Sequence, residues 1–98
     1  MTRRIEWHET ARNEFTALGE YSEAHWGAAR TRKYLDRMLD LIDGVADNPM
    51  LGRDAELPRP GLRKIKAGSH VVFYTVSDDR LEVVRILHES RDIKALLR

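Results

Sequence analysis

The chain has no cysteine. That excludes a disulfide framework, a thiolate zinc site, an iron–sulfur cluster and a cysteine nucleophile, and it fits a reducing compartment. It also lacks any run near the roughly 18 apolar residues that a membrane span needs, and its opening residues hold no apolar signal core. A cytoplasmic location without membrane contact is therefore expected. Glycine and proline are sparse, at six and three, and no glycine cluster has the form of a phosphate-binding loop. No serine sits in a nucleophile elbow. The four histidines, His8, His25, His70 and His88, fall at no metal-ligand spacing, so neither a metal nor another cofactor is expected.

What remains is a chain of 98 residues, 42% hydrophobic and 34% charged, enough for one domain over residues 1–98 with one modest core. The net charge of +1 hides an asymmetry. Residues 1–50 sum to −2 and residues 51–98 to +3. From Arg59 to His70 the chain carries Arg59, Arg63, Lys64 and Lys66 without an acid. Such a patch either favours an acidic partner or guards a strand edge.

Hydrophobic periodicity orders the elements. Ile5 and Trp7 share one face of a short strand. From about His8 the period lengthens, and Ala11, Phe15, Leu18 and Tyr21 form one stripe of a helix that ends near Gly27. A second helix is predicted from Ala28 to about Ala46 through Leu35, Met38, Ile42 and Val45. So short a junction makes the two helices an antiparallel hairpin. Residues 47–61, with Pro49, Gly52, Pro58, Pro60 and Gly61, form a connector. Three strands follow, Leu62–Ala67, His70–Val76 and Leu81–Leu87, separated by turns at Gly68-Ser69 and Ser77–Arg80. Ile93, Leu96 and Leu97 suit a short tail helix.

The fold class is thus α+β, a helical hairpin on a mainly antiparallel sheet. The expected core is Ile5, Trp7, Phe15, Leu18, Leu35, Met38, Ile42, Val72, Tyr74, Val84 and Ile86. Strict alternation along the last strand turns Val84 and Ile86 to the helices and Arg85 away from them. There Arg85 serves as an anchor for phosphate or carboxylate, or pairs with Glu82, Glu89 or Asp92. His88 at the strand exit suits a turn cap better than a proton shuttle. Tyr21 and Trp26 are expected inside the core, since exposing them without a partner is costly.

Several segments together resemble one family. Gly68-Ser69-His70-Val71-Val72-Phe73-Tyr74, the Asp78-Asp79 turn and Glu82-Val83-Val84-Arg85-Ile86-Leu87-His88 are similar to the C-terminal half of RelE/ParE toxins of bacterial type II toxin–antitoxin systems. Trp26-Gly27, Asn48-Pro49 with Gly52, and Pro60-Gly61-Leu62-Arg63 follow the same order. The resemblance implies the fold just described and a cognate ParD-like antitoxin. The antitoxin's C-terminal segment folds on the toxin, and DNA is contacted only through it, in a heteromeric complex.

Two activities occur in that family. The RelE-like branch cleaves messenger RNA on the ribosome without metal, and its pattern would give Arg85, His88 and Lys66 the phosphate-clamping and proton-transfer roles. The ParE-like branch inhibits DNA gyrase through protein contacts. Here Val71-Val72-Phe73 lacks the ribonuclease arginine, and Glu89-Ser90-Arg91-Asp92 lacks the terminal tyrosine. The resemblance therefore favours the ParE-like branch, with no catalytic residue; the alternatives are the RelE-like ribonuclease and a detoxified module that keeps only its antitoxin contacts. Arg63, Lys64, Lys66, Arg85 and His88 are the candidates for its toxic surface, and Arg30, Arg37, Arg63 and Lys64 those for antitoxin contact.

Overall fold

The computed structural model describes residues 3–97. Strand β1 (Arg4–Trp7) leads into helix α1 (Glu9–Trp26), which meets helix α2 (Ala28–Asp47) at Gly27 alone. A 3₁₀ turn (Pro49–Leu51) precedes the two-residue strand β2 (Arg53–Asp54). Strands β3 (Arg63–Ala67), β4 (His70–Val76) and β5 (Arg80–His88) form the meander, and helix α3 (Ile93–Leu96) closes the chain. The sheet order is β1-β5-β4-β3-β2, with β1 parallel to β5 and every other pair antiparallel. The expected α+β architecture is present. The connector adds a fifth strand at the sheet edge, where the sequence shows only turn residues.

Both faces of the sheet are covered. On the helix side, Met38, Ile42 and Val45 of α2 and Ala11 of α1 pack on Val72, Tyr74, Leu81, Val83 and Ile86. The other side buries Phe73, Val84 and Leu87 beneath Ala55, Leu62 and Leu97, with Leu57 and Ile93 beside them. The connector and tail are thus a second layer over the sheet, tied down by burial.

Val84 lies in this second cluster, which corrects the expectation that it faces the helices. The cause is a bulge. Phe73 pairs with Arg85 and Tyr74 with Val83, so Val84 has no partner opposite. One inserted residue breaks the period-2 alternation, and Val83 and Ile86 come to share the helix-facing side.

The connector is held by two polar side chains. Tyr74 is fully buried and its hydroxyl donates to the Pro49 carbonyl at 2.8 Å. Arg63 donates to Pro49 O at 3.2 Å and to Gly52 O at 2.8 Å. A Cβ at Gly52 would stand 2.1 Å from the Tyr74 hydroxyl and 2.6 Å from Lys64 O, so only glycine admits this approach.

Candidate functional site

Strand β1 pairs with β5 only as far as Val83, leaving the C-terminal half of β5 without a strand on that side. Helix α1 fills the first part of that gap with Glu14. Its Oε1 accepts the Ile86 N–H at 2.9 Å, and its carboxylate receives Arg85 Nε at 3.1 Å and a terminal guanidinium nitrogen at 2.8 Å. Both side chains are only 21% exposed. The arrangement caps an open backbone donor and neutralises the acid that does so. Arg85 is therefore engaged by Glu14. It stands across from Phe73 of the second cluster, but its guanidinium is no free anchor for phosphate or carboxylate, and it pairs with none of Glu82, Glu89 or Asp92. Glu14 is the residue that sequence reasoning missed. Its signal was there, because Glu14 stands three residues after Ala11 and four before Leu18, on the stripe that α1 buries.

Beyond this clamp a groove of about 740 Å³ runs between the helical hairpin and the end of β5. Its apolar lining includes Leu18, Tyr21, Trp26, Ile86 and Leu87. Tyr21 and Trp26 are 61% and 56% exposed, which overturns their expected burial in the core. They line the groove together with Ile86 and Leu87 and stay open to solvent there. Tyr21 stacks on His25 at 4.0 Å, and the Arg30 guanidinium lies 4.7 Å from the Trp26 ring centroid.

The floor at the far end is a polar network. The Tyr34 hydroxyl accepts the Ser69 N–H at 2.9 Å and donates to Ala67 O at 3.1 Å. The same oxygen is 2.7 Å from His70 Nδ1, a third hydrogen-bonding contact. His88 lies edge-on to His70, with ring centroids 5.1 Å apart, and its Nδ1 accepts the Ser90 N–H at 3.1 Å. That is the turn cap expected of His88. Burial, and secondarily the neighbouring His88, hold the His70 pKa below its ordinary 6.5, partly opposed by Glu89.

A groove of this kind binds protein segments well. It offers large aromatic surfaces at low entropic cost and a cation beside them. Comparison with known proteins identifies the family. A family model described as the ParE toxin of type II toxin–antitoxin system, parDE, matches residues 5–93. The chain belongs to this family. It is 42% identical over 69 residues to Toxin ParE1 of Mycobacterium tuberculosis, covering 69% of this chain and 70% of that one. To Toxin ParE1 of Caulobacter vibrioides it is 36% identical over 87 residues, covering 89% and 90%.

Solved structures share the fold. A chain of the chromosomal ParDE system from P. aeruginosa superposes with a TM-score of 0.74 at 13% identity, over 89% of this chain and 96% of that one. The YoeB dimer from Staphylococcus aureus gives 0.67 at 14% identity, over 90% and 98%.

In this ParE-type toxin the candidate residues do not converge on one spot. Arg30 and His88 line the groove, whereas Arg37 is exposed on α2 outside it. Arg63 is occupied with the connector. Lys64 and Lys66 line a separate cleft on β3, and Lys66 reaches Glu89, the residue after His88, at 3.0 Å. Among the described residues, no helix is long and apolar enough to cross a membrane.

Proposed function

We propose that this ParE-type toxin inhibits DNA gyrase by docking on it, without chemistry of its own, and that a ParD-like antitoxin silences it by filling the groove between the hairpin and β5. The observation that carries the first half is the Glu14–Arg85 clamp. Metal-free RNA cleavage needs a cation free to meet a phosphate and a group free to move a proton. Here Arg85, the expected phosphate clamp, is bound by Glu14, and His88 caps its own turn. A surface whose phosphate clamp is already occupied acts through shape and contact.

The second half rests on the exposed Tyr21 and Trp26. An antitoxin segment that folds on binding would cover these rings and place an acidic residue against Arg30. The antitoxin would supply the DNA contact of the heteromeric complex. Expression of the toxin alone should produce filamentous cells with a DNA-damage response, and co-expression of the neighbouring antitoxin should restore growth. Purified toxin should inhibit supercoiling by gyrase and leave cleaved DNA. Prompt arrest of translation with intact DNA and codon-positioned transcript ends, lost in Arg85→Ala, would overturn the reading in favour of a ribonuclease.

A further inference from the structure

Strand β2 covers only part of its neighbour. It pairs Arg53 with Lys64 and Asp54 with Arg63, and before Arg53 the chain turns away. Residues Ile65 to Ala67 therefore have a strand on one side only, β4. Ala55 N–H donates to Leu62 O across this edge. Antiparallel alternation then directs the backbone groups of Lys64 and Lys66 the same way, and those of Lys66 meet no strand.

Beside this edge lies a second, smaller cleft of about 270 Å³. Its apolar wall is Leu51, Ile65, Val71 and Ile93. Arg53, Lys64 and Lys66 are its charged residues, and neither an acid nor an aromatic ring lines it. Leu51 is 57% exposed. Lysines alone would serve to guard an edge, but an apolar cleft with an open leucine beside them is what a guard avoids.

We propose that this edge accepts an extended acidic segment of a partner protein as an added strand. The segment's backbone would pair with Lys66. One of its apolar side chains would sit between Leu51 and Ile93, and its carboxylates would meet Arg53, Lys64 and Lys66. The absence of an aromatic platform weighs against single-stranded nucleic acid, which stacks its bases on such rings. The Lys66–Glu89 pair is exposed at both ends, so a partner carboxylate replaces Glu89 at little cost. The proposal deepens the functional reading by giving the docking surface a chemistry, and it rests on that reading only for who the partner is.

The test is direct binding to the purified chain, read by fluorescence anisotropy. The probe is a fluorescein-labelled peptide of alternating leucine and glutamate, with a leucine–lysine peptide and an oligouridylate as controls. The acidic peptide should bind, protect the Lys66 amide from hydrogen exchange and weaken about tenfold or more in the double variant Arg53→Glu, Lys66→Glu. Arg12→Ala, exposed on α1 and outside both clefts, should bind as the parent does. The double variant alters exposed side chains only, and an unchanged thermal midpoint verifies its fold. No binding, equal binding by the double variant, or tighter binding of the oligouridylate would overturn the proposal. None of these readouts involves gyrase, so failure of the docking edge and failure of the gyrase reading remain distinguishable.

Discussion

The groove beside β5 and the cleft beside β3 both lie where a strand ends before its neighbour does, yet they are finished differently. At β5 the gap is closed from within. Glu14 takes the Ile86 N–H, Arg85 neutralises Glu14, and the surface beyond is aromatic. At β3 nothing from within takes the place of a strand beside Lys66, and the cleft is aliphatic and basic. A helix supplies the cap in the first case because α1 runs alongside β5. The second edge has only the connector near it, and the connector turns away at Gly52. The difference teaches that unpaired strand edges in one small sheet can be spent in two ways, as a capped floor under a groove or as an open template.

The largest way to break this contrast is at Gly52. A methyl group there meets the buried Tyr74 hydroxyl and a backbone oxygen, and neither can step aside cheaply. Gly52→Ala should cost about 3 kcal/mol or more, read as a lower urea midpoint, and should loosen the connector that shapes the β3 cleft. Tyr74→Phe removes only the bond to Pro49 O and should cost about 1 kcal/mol. If Gly52→Ala is nearly neutral, the connector is not fixed as described.

Next comes the clamp. Glu14→Ala leaves Ile86 N–H without its partner and Arg85 half-buried without its counter-charge. A loss of about 2 kcal/mol is expected, below the figure for fully buried pairs because both side chains keep some solvent contact. Glu14→Gln should recover part of it by restoring an acceptor for Ile86. A neutral Glu14→Ala would mean that the β5 edge is capped by water as well as by protein.

These two sites also mark where the sequence was legible and where it was not. The order of elements could be read because the hydrophobic period changes cleanly from two to three-and-four at His8 and back again after the connector. The paired turns at Gly68-Ser69 and Ser77–Arg80 announced the meander. Val84 was misplaced because a bulge is a pairing event between strands, and alternation along β5 alone carries no trace of it. Strand β2 was invisible for a similar reason, since Arg63 and Tyr74, distant in sequence, hold the connector against β3. Tyr21 and Trp26 continue a buried stripe in the sequence. How much of that stripe is covered is decided by packing, and the groove leaves both rings open. Arg63, Lys64, Lys66, Arg85 and His88 were read as one toxic surface, but the fold gives Arg85 to Glu14 and Arg63 to the connector and leaves the two lysines at a separate cleft.

A sharper form of the comparison concerns affinity instead of stability. Trp26 and Tyr21 bury little in the isolated chain, so Trp26→Ala and Tyr21→Ala should each leave the unfolding midpoint within about 0.5 kcal/mol of the parent. If the groove is the antitoxin site, the same changes should weaken antitoxin binding about tenfold or more, chiefly through faster dissociation measured by surface plasmon resonance. Lys64→Ala should affect that binding much less, because it lies at the other edge. The reverse ranking would exchange the roles of the two surfaces.

The smallest effect separates the groove's floor from the β3 cleft by pH. His70 holds its proton less tightly in the folded chain than its ordinary 6.5, because it is partly buried and faces His88, with Tyr34 as hydrogen-bond partner and Glu89 opposing the shift. Above pH 6.5 both folded and unfolded chains carry a neutral imidazole there, and the site adds no pH dependence. As pH falls below 6.5 the unfolded chain takes up the proton first, so stability declines until the folded imidazole also titrates, and this contribution is level below that point. Carboxylates add their own losses only below about pH 5. Urea midpoints taken between pH 7.5 and 5.5 should therefore fall modestly for the parent and stay flatter for His70→Gln. A parent midpoint that rises as pH drops through this window would mean that folding raises the imidazole's affinity for the proton, with Glu89 outweighing burial and His88.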